Sequence, residues 1–100
     1  AGELKQALAL DERDWAAHYY LGWALIETDA DKAEPHLARA LELDERKAAR
    51  AHLALARIAD ARGQRLRAIL HLDAYVASAP DSADAPGARE LADRLRTLKP

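Results

Sequence analysis

The chain is 100 residues long, 50% hydrophobic and 32% charged, with a formal net charge of -2 and no Cys, Met or Phe. That balance excludes disulfides and thiolate metal sites, lacks the basic surplus that sequence-independent nucleic-acid binding requires, and contains no run near the ~18 apolar residues of a membrane span. About a quarter of the residues are alanine, with Leu and Arg next. This mixture of strong helix formers predicts an all-α chain of one domain with a modest core.

Residues 2–10 place Leu4, Ala7, Leu8 and Leu10 at helical spacing, and four charged residues from Asp11 to Asp14 break the pattern. Asp14 can cap a second helix over residues 15–28, where His18, Leu21, Ala24 and Leu25 share a face. The polar stretch Thr28-Asp-Ala-Asp31 reads as a turn. Asp31 with Glu34 forms a capping-box variant that opens a helix over 32–43 and leaves Pro35 near its start. After Asp44-Glu-Arg-Lys47 the pattern restarts over 48–62, Gly63 ends that helix, and residues 64–79 form the next. The only Pro/Gly-rich stretch, Pro80 to Gly87, leads into a last helix that runs to about residue 98. The expected count is six antiparallel helices.

The chain also repeats itself. Leu8-Ala-Leu-Asp-Glu-Arg13 returns 33 residues later as Leu41-Glu-Leu-Asp-Glu-Arg46, Leu21-Gly22 returns after 34 as Leu55-Ala56, and His36-Leu37 after 35 as His71-Leu72. A period near 34 is the signature of stacked supersecondary units. His18-x-x-Leu21-Gly22-x-x-Leu25, Ala33-x-x-x-Leu37 and Ala40-Leu41-Glu-Leu43-Asp44 resemble the tetratricopeptide repeat. His52-x-x-Leu55-Ala56-x-x-Ala59, Gly63, Ala68-x-x-x-Leu72 and Pro80 resemble a second copy. Histidine stands where that family has tryptophan, Leu25 and Ala59 replace its tyrosine, and Tyr75 replaces the small residue found at Ala40.

The resemblance implies an α-solenoid of about two and a half repeats plus a C-terminal capping helix. Residues 1–14 would be the second half of a repeat, 15–48 and 49–82 full repeats, and 83–100 the cap. Small residues at Gly22, Ala33, Ala40, Ala56 and Ala68 would let the helices approach closely. It further implies a protein-interaction module without catalysis, whose concave groove is lined by the first helix of each repeat. The residues carried over to that groove are Ala16, Tyr19, Tyr20, Trp23, Ile26 and Glu27, then Arg50, Leu53, Arg57 and Asp60. Tyr19, Tyr20, Trp23, Ile26, Leu53 and the two arginines would form the partner-binding set, an aromatic platform flanked by positive charge that suits an extended peptide or helix of acidic character. The alternative expectation is self-association, with Tyr19 and Trp23 covering a sticky N-terminal face.

No cofactor or metal is expected. His18 and His52 are equivalent positions, as are His36 and His71, and equivalent positions in stacked repeats lie on the order of 8 to 10 Å apart. Two nitrogens on one zinc must lie roughly 3 to 3.5 Å apart, given bonds of about 2.0 to 2.1 Å. Asp29-Ala-Asp31 lacks the glycine and the final glutamate of a calcium loop. Neither Ser78, Ser82 nor the two threonines sit in a nucleophile motif, and no glycine-rich phosphate loop exists, so no enzyme activity is expected.

Overall fold

The computed structural model describes residues 13–98. The expected first helix, over residues 2–10, lies outside them. Among the described residues the fold is all-helical, with α1 Trp15–Leu25, α2 Ala30–Leu43, α3 Ala51–Ala61, α4 Arg65–Ser78 and α5 Ala85–Thr97. Each helix packs chiefly on its neighbour in sequence, and α1 also touches α3.

The helix boundaries follow from specific caps. Asp14 opens α1 by accepting the Ala16 and Ala17 backbone N–H groups on Oδ1, which satisfies donors that have no partner within the helix. The helix stops at Leu25 rather than near residue 28, because the Leu25 carbonyl takes the N–H groups of both Thr28 and Asp29. Asp29, not Asp31, then caps α2, accepting the Lys32 N–H at 3.2 Å. Pro35 consequently sits at the sixth helical position, beyond the first turn, and the Asp31 carbonyl is left without a helical donor.

The helix expected over residues 48–62 begins late. Between Asp44 and Ala51 the chain winds through turns, with the Ala49, Ala51 and His52 N–H groups each donating three residues back, and α-helical bonding is established only from Ala51. The end of α3 is a full Schellman cap. Gly63 adopts φ +73°, its N–H donates to Asp60, and the Gln64 N–H donates to Ala59.

The close helix approaches occur where the small residues stand. A Cβ on Gly22 would lie 2.5 Å from Leu37 Cγ, so α1 and α2 meet backbone to side chain at that point. Ala33, Leu37 and Ala40 of α2 are completely buried, and Leu37 lies in one cluster with Ala54, Leu55 and Ile58 of α3. The second cluster joins α3, α4 and α5 around Tyr75, which is 1% exposed and shares a 2.7 Å hydrogen bond with Ser82 Oγ. Ala88, Ala92 and Leu95 of α5 share this cluster with Tyr75. Burying a ring that size contributes several times what a methyl group does.

Candidate functional site

A cavity of about 440 Å³ lies between α3 and α5, floored by α4. Its walls are built from small and branched apolar residues. Leu53 and Ala56 come from α3, Leu72 from α4, and Leu91 and Leu95 from α5, while Gly87 leaves open space where a side chain would stand. Arg57, Asp60 and Asp84 supply its polar groups. A second cavity of about 320 Å³ lies between the α1–α2 turn and the end of α3, among Ile26, Ala30, Ile58 and Arg62. Arg57 lines both, so the two hollows flank one side chain.

The residues expected to bind a partner fall into three groups. Leu53, Arg57 and Asp60 line the larger cavity and Ile26, Glu27 and Arg57 the smaller. Tyr19 and Trp23 are half-buried and pack on the cluster formed by α2 and α3, with Tyr19 making edge contacts to Trp15, Tyr20 and Trp23 at ring-centroid distances of 5.8, 5.1 and 6.3 Å. Their apolar surface is therefore largely used inside the chain. Tyr20 is 58% exposed and lines neither cavity. The Trp23 indole N–H is buried and has no hydrogen-bond partner among the described residues.

Both groove arginines carry internal partners. Arg57 pairs with Glu27 at 2.6 Å, linking α3 to the α1–α2 turn, and Arg50 pairs with Asp84 at the start of α5. Burial works against the Arg50 cation, but the Asp84 carboxylate and the Tyr19 hydroxyl more than offset it and its pKa rises. Arg62 likewise holds Asp31 and Glu34 of α2. These pairs are exposed and screened, so each adds little stability, but together they neutralise the positive charge expected to attract an acidic ligand. Asp60 has no ion-pair partner among the described residues.

The histidines pair between successive helices. His18 Nδ1 lies 3.1 Å from His36 Nδ1, joining α1 to α2, and His52 Nδ1 lies 3.2 Å from His71 Nδ1, joining α3 to α4. These separations fall within the range for two zinc ligands, a possibility that the spacing of equivalent repeat positions does not address. The ring centroids, however, are 5.3 and 5.4 Å apart. In each pair the centroids are farther apart than the nitrogens by nearly two full ring radii, so the nitrogen axes face one another instead of converging on a point to the side. That is the geometry of an N–H···N hydrogen bond. Among the described residues no group of three or more His, Cys, Asp or Glu is placed to hold a metal, and no helix is long and apolar enough to cross a membrane.

Three features of the site escaped sequence reasoning. The α5 wall of the cavity depends on how the last helix docks, and the histidine pairing on how α1 meets α2. The orphaned indole depends on the Trp23 rotamer. The heptad-like spacing of Ala88, Leu91, Ala92 and Leu95 was the one available signal, since it gives α5 an apolar face with a small-residue edge. The chain matches no protein-family model and no curated protein.

Proposed function

We propose that the chain is an α-solenoid of tetratricopeptide type that acts as a protein-interaction module, holding a peptide or helix of a partner protein in the groove between α3 and α5. The solenoid reading draws support from the equivalence of the repeated positions. Leu21 and Leu55, Gly22 and Ala56, Leu37 and Leu72, and His18 and His52 are buried in both copies, as stacked units require. The observation that carries the functional reading is the 440 Å³ cavity, an apolar hollow of a size that side chains of a partner can fill.

The mechanism is burial without chemistry. A Leu- or Ile-sized anchor entering the larger cavity contributes about 1.5–3 kcal/mol, and a second in the smaller cavity about the same again. Ordering the partner offsets part of that, so binding falls in the millimolar class, where 1 mM corresponds to about 4 kcal/mol. Arg50 and Arg57 are engaged with Asp84 and Glu27. The groove's unpaired charge is that of Asp60, which favours a basic residue beside the anchor over the acidic partner suggested by the arginines alone.

Selection from a displayed random-peptide library on the full chain tests this reading, with Gly87→Trp as the counter-target because its side chain would fill the cavity. Enriched peptides should pair an apolar residue with Lys or Arg and should lose binding to Gly87→Trp. Failure to enrich any sequence, or equal binding to both proteins, would overturn the groove reading. A second reading, self-association through the α1 face, draws on exposed Tyr20 beside half-buried Tyr19 and Trp23. Sedimentation of the wild type and Tyr20→Ser separates it, since a dimer lost on substitution assigns that face to a second copy.

A further inference from the structure

His52 and His71 occupy the interior of the α3–α4 contact. His52 is 8% exposed and His71 half-buried, with their Nδ1 atoms 3.2 Å apart and facing. A neutral imidazole has one ring nitrogen that donates and one that accepts, so one Nδ1 carries the proton and the other receives it. Glu45 decides which. Its Oε1 lies 3.4 Å from His52 Nε2, and a carboxylate only accepts, so His52 carries its proton on Nε2. His52 Nδ1 is then the acceptor and His71 Nδ1–H the donor, which leaves His71 Nε2 with its lone pair.

We propose that this pair is a proton-sensitive latch between α3 and α4: one Nδ1 proton joins the two rings, and taking up a further proton at the half-buried His71 ring costs the folded state stability. The order of protonation follows from the tautomers. The first added proton goes to His71 Nε2, where the ring becomes an imidazolium and still donates from Nδ1.

The charged groups acting on the pair come from three elements: Glu45 in the α2–α3 connection, Glu34 on α2 and Arg67 on α4. Burial first, then His52 and Arg67, hold His71 below the ordinary histidine value, with Glu34 working the other way. The unfolded chain titrates near pH 6.5. As pH falls through that value the unfolded state binds more protons than the folded one, so stability is full above about pH 6.5 and is lost toward the depressed folded-state value. Carboxylates of ordinary pKa, near 4, stay outside that window. The His18–His36 pair, with its nitrogens 3.1 Å apart, repeats the arrangement between α1 and α2, and His36 is lowered by burial and by His18.

The test uses the full chain. Long-range proton–nitrogen NMR at pH 8 should show His52 protonated on Nε2 and His71 on Nδ1. Urea unfolding between pH 8 and 5.5 should show the folding equilibrium constant falling by up to about tenfold per pH unit below 6.5 for each histidine held neutral. His71→Asn keeps an amide donor near Nδ1 but cannot titrate, so it should lose its share of that acid sensitivity and leave only the share of His36. The same tautomer in both rings, or equal acid loss in wild type and His71→Asn, would overturn the proposal. Should His71→Asn fail to fold, the wild-type tautomers decide the matter.

Discussion

Gly22→Ala probes the α1–α2 contact because two opposing effects of known size meet there. Alanine in a helix interior is favoured over glycine by about 1 kcal/mol. The added Cβ, however, would lie 2.5 Å from Leu37 Cγ, 2.6 Å from Leu37 Cδ2 and 3.3 Å from the Leu37 backbone nitrogen. Leu37 is fully buried, so the overpacking cost falls near the top of the usual range, about 3 kcal/mol. The net expectation is a loss of about 2 kcal/mol. Leu37→Ala alone should cost about 2–5 kcal/mol, but it removes both clashing carbons. In that background Gly22→Ala should therefore stabilise by about 1 kcal/mol, a coupling of about 3 kcal/mol. Urea denaturation of the four proteins, followed by far-UV circular dichroism, measures the cycle. The same sign in both backgrounds would refute the packing argument.

At Gly87, where an added Cβ meets nothing within 4 Å, the same Gly→Ala change should stabilise by up to about 1 kcal/mol in thermal melts. Gly63→Ala should destabilise by about 1–2 kcal/mol, because alanine at φ +73° is strained. Tyr75→Phe keeps the ring packing but leaves Ser82 Oγ without its bond, costing about 1 kcal/mol in chemical denaturation. Asp14→Ala removes the acceptor of two N–H groups and should cost about 1 kcal/mol, with amide exchange quickening first at Ala16 and Ala17.

The parts of the fold that local chemistry determines were legible in the sequence. Gly63 after a helical run signalled a left-handed cap, and Gly22 and Ala33 marked close approach by their size alone. Competition between equivalent local signals was not legible. Asp29 and Asp31 are both good caps two residues apart, and Asp29 prevails because Leu25 can take its N–H. The alanines at 48 and 49 have high helix propensity, yet they sit in a wound connection fixed by Asp44, which accepts the Lys47 N–H. The cavity between α3 and α5 was half legible: Leu53, Arg57 and Asp60, carried over from the resemblance, line it, whereas its α5 wall was not foreseen. The pairing of Arg50 and Arg57 was not legible for a related reason. Glu27 and Asp84 are distant in sequence from the arginines they neutralise, by 30 and 34 residues, and nothing local announces such a pairing. Histidine equivalence across repeats was visible, but pairing between successive helices depends on which faces of α1 and α2 meet.

Amide chemical-shift mapping of the full chain, titrated with a peptide enriched on it, tests the central claim most directly. The largest shifts should fall on Leu53, Arg57, Asp60, Gly87 and Leu91 around the α3–α5 cavity, and Gly87→Trp should abolish them. Shifts centred instead on Tyr19, Tyr20 and Trp23 would contradict it and place recognition on the α1 face.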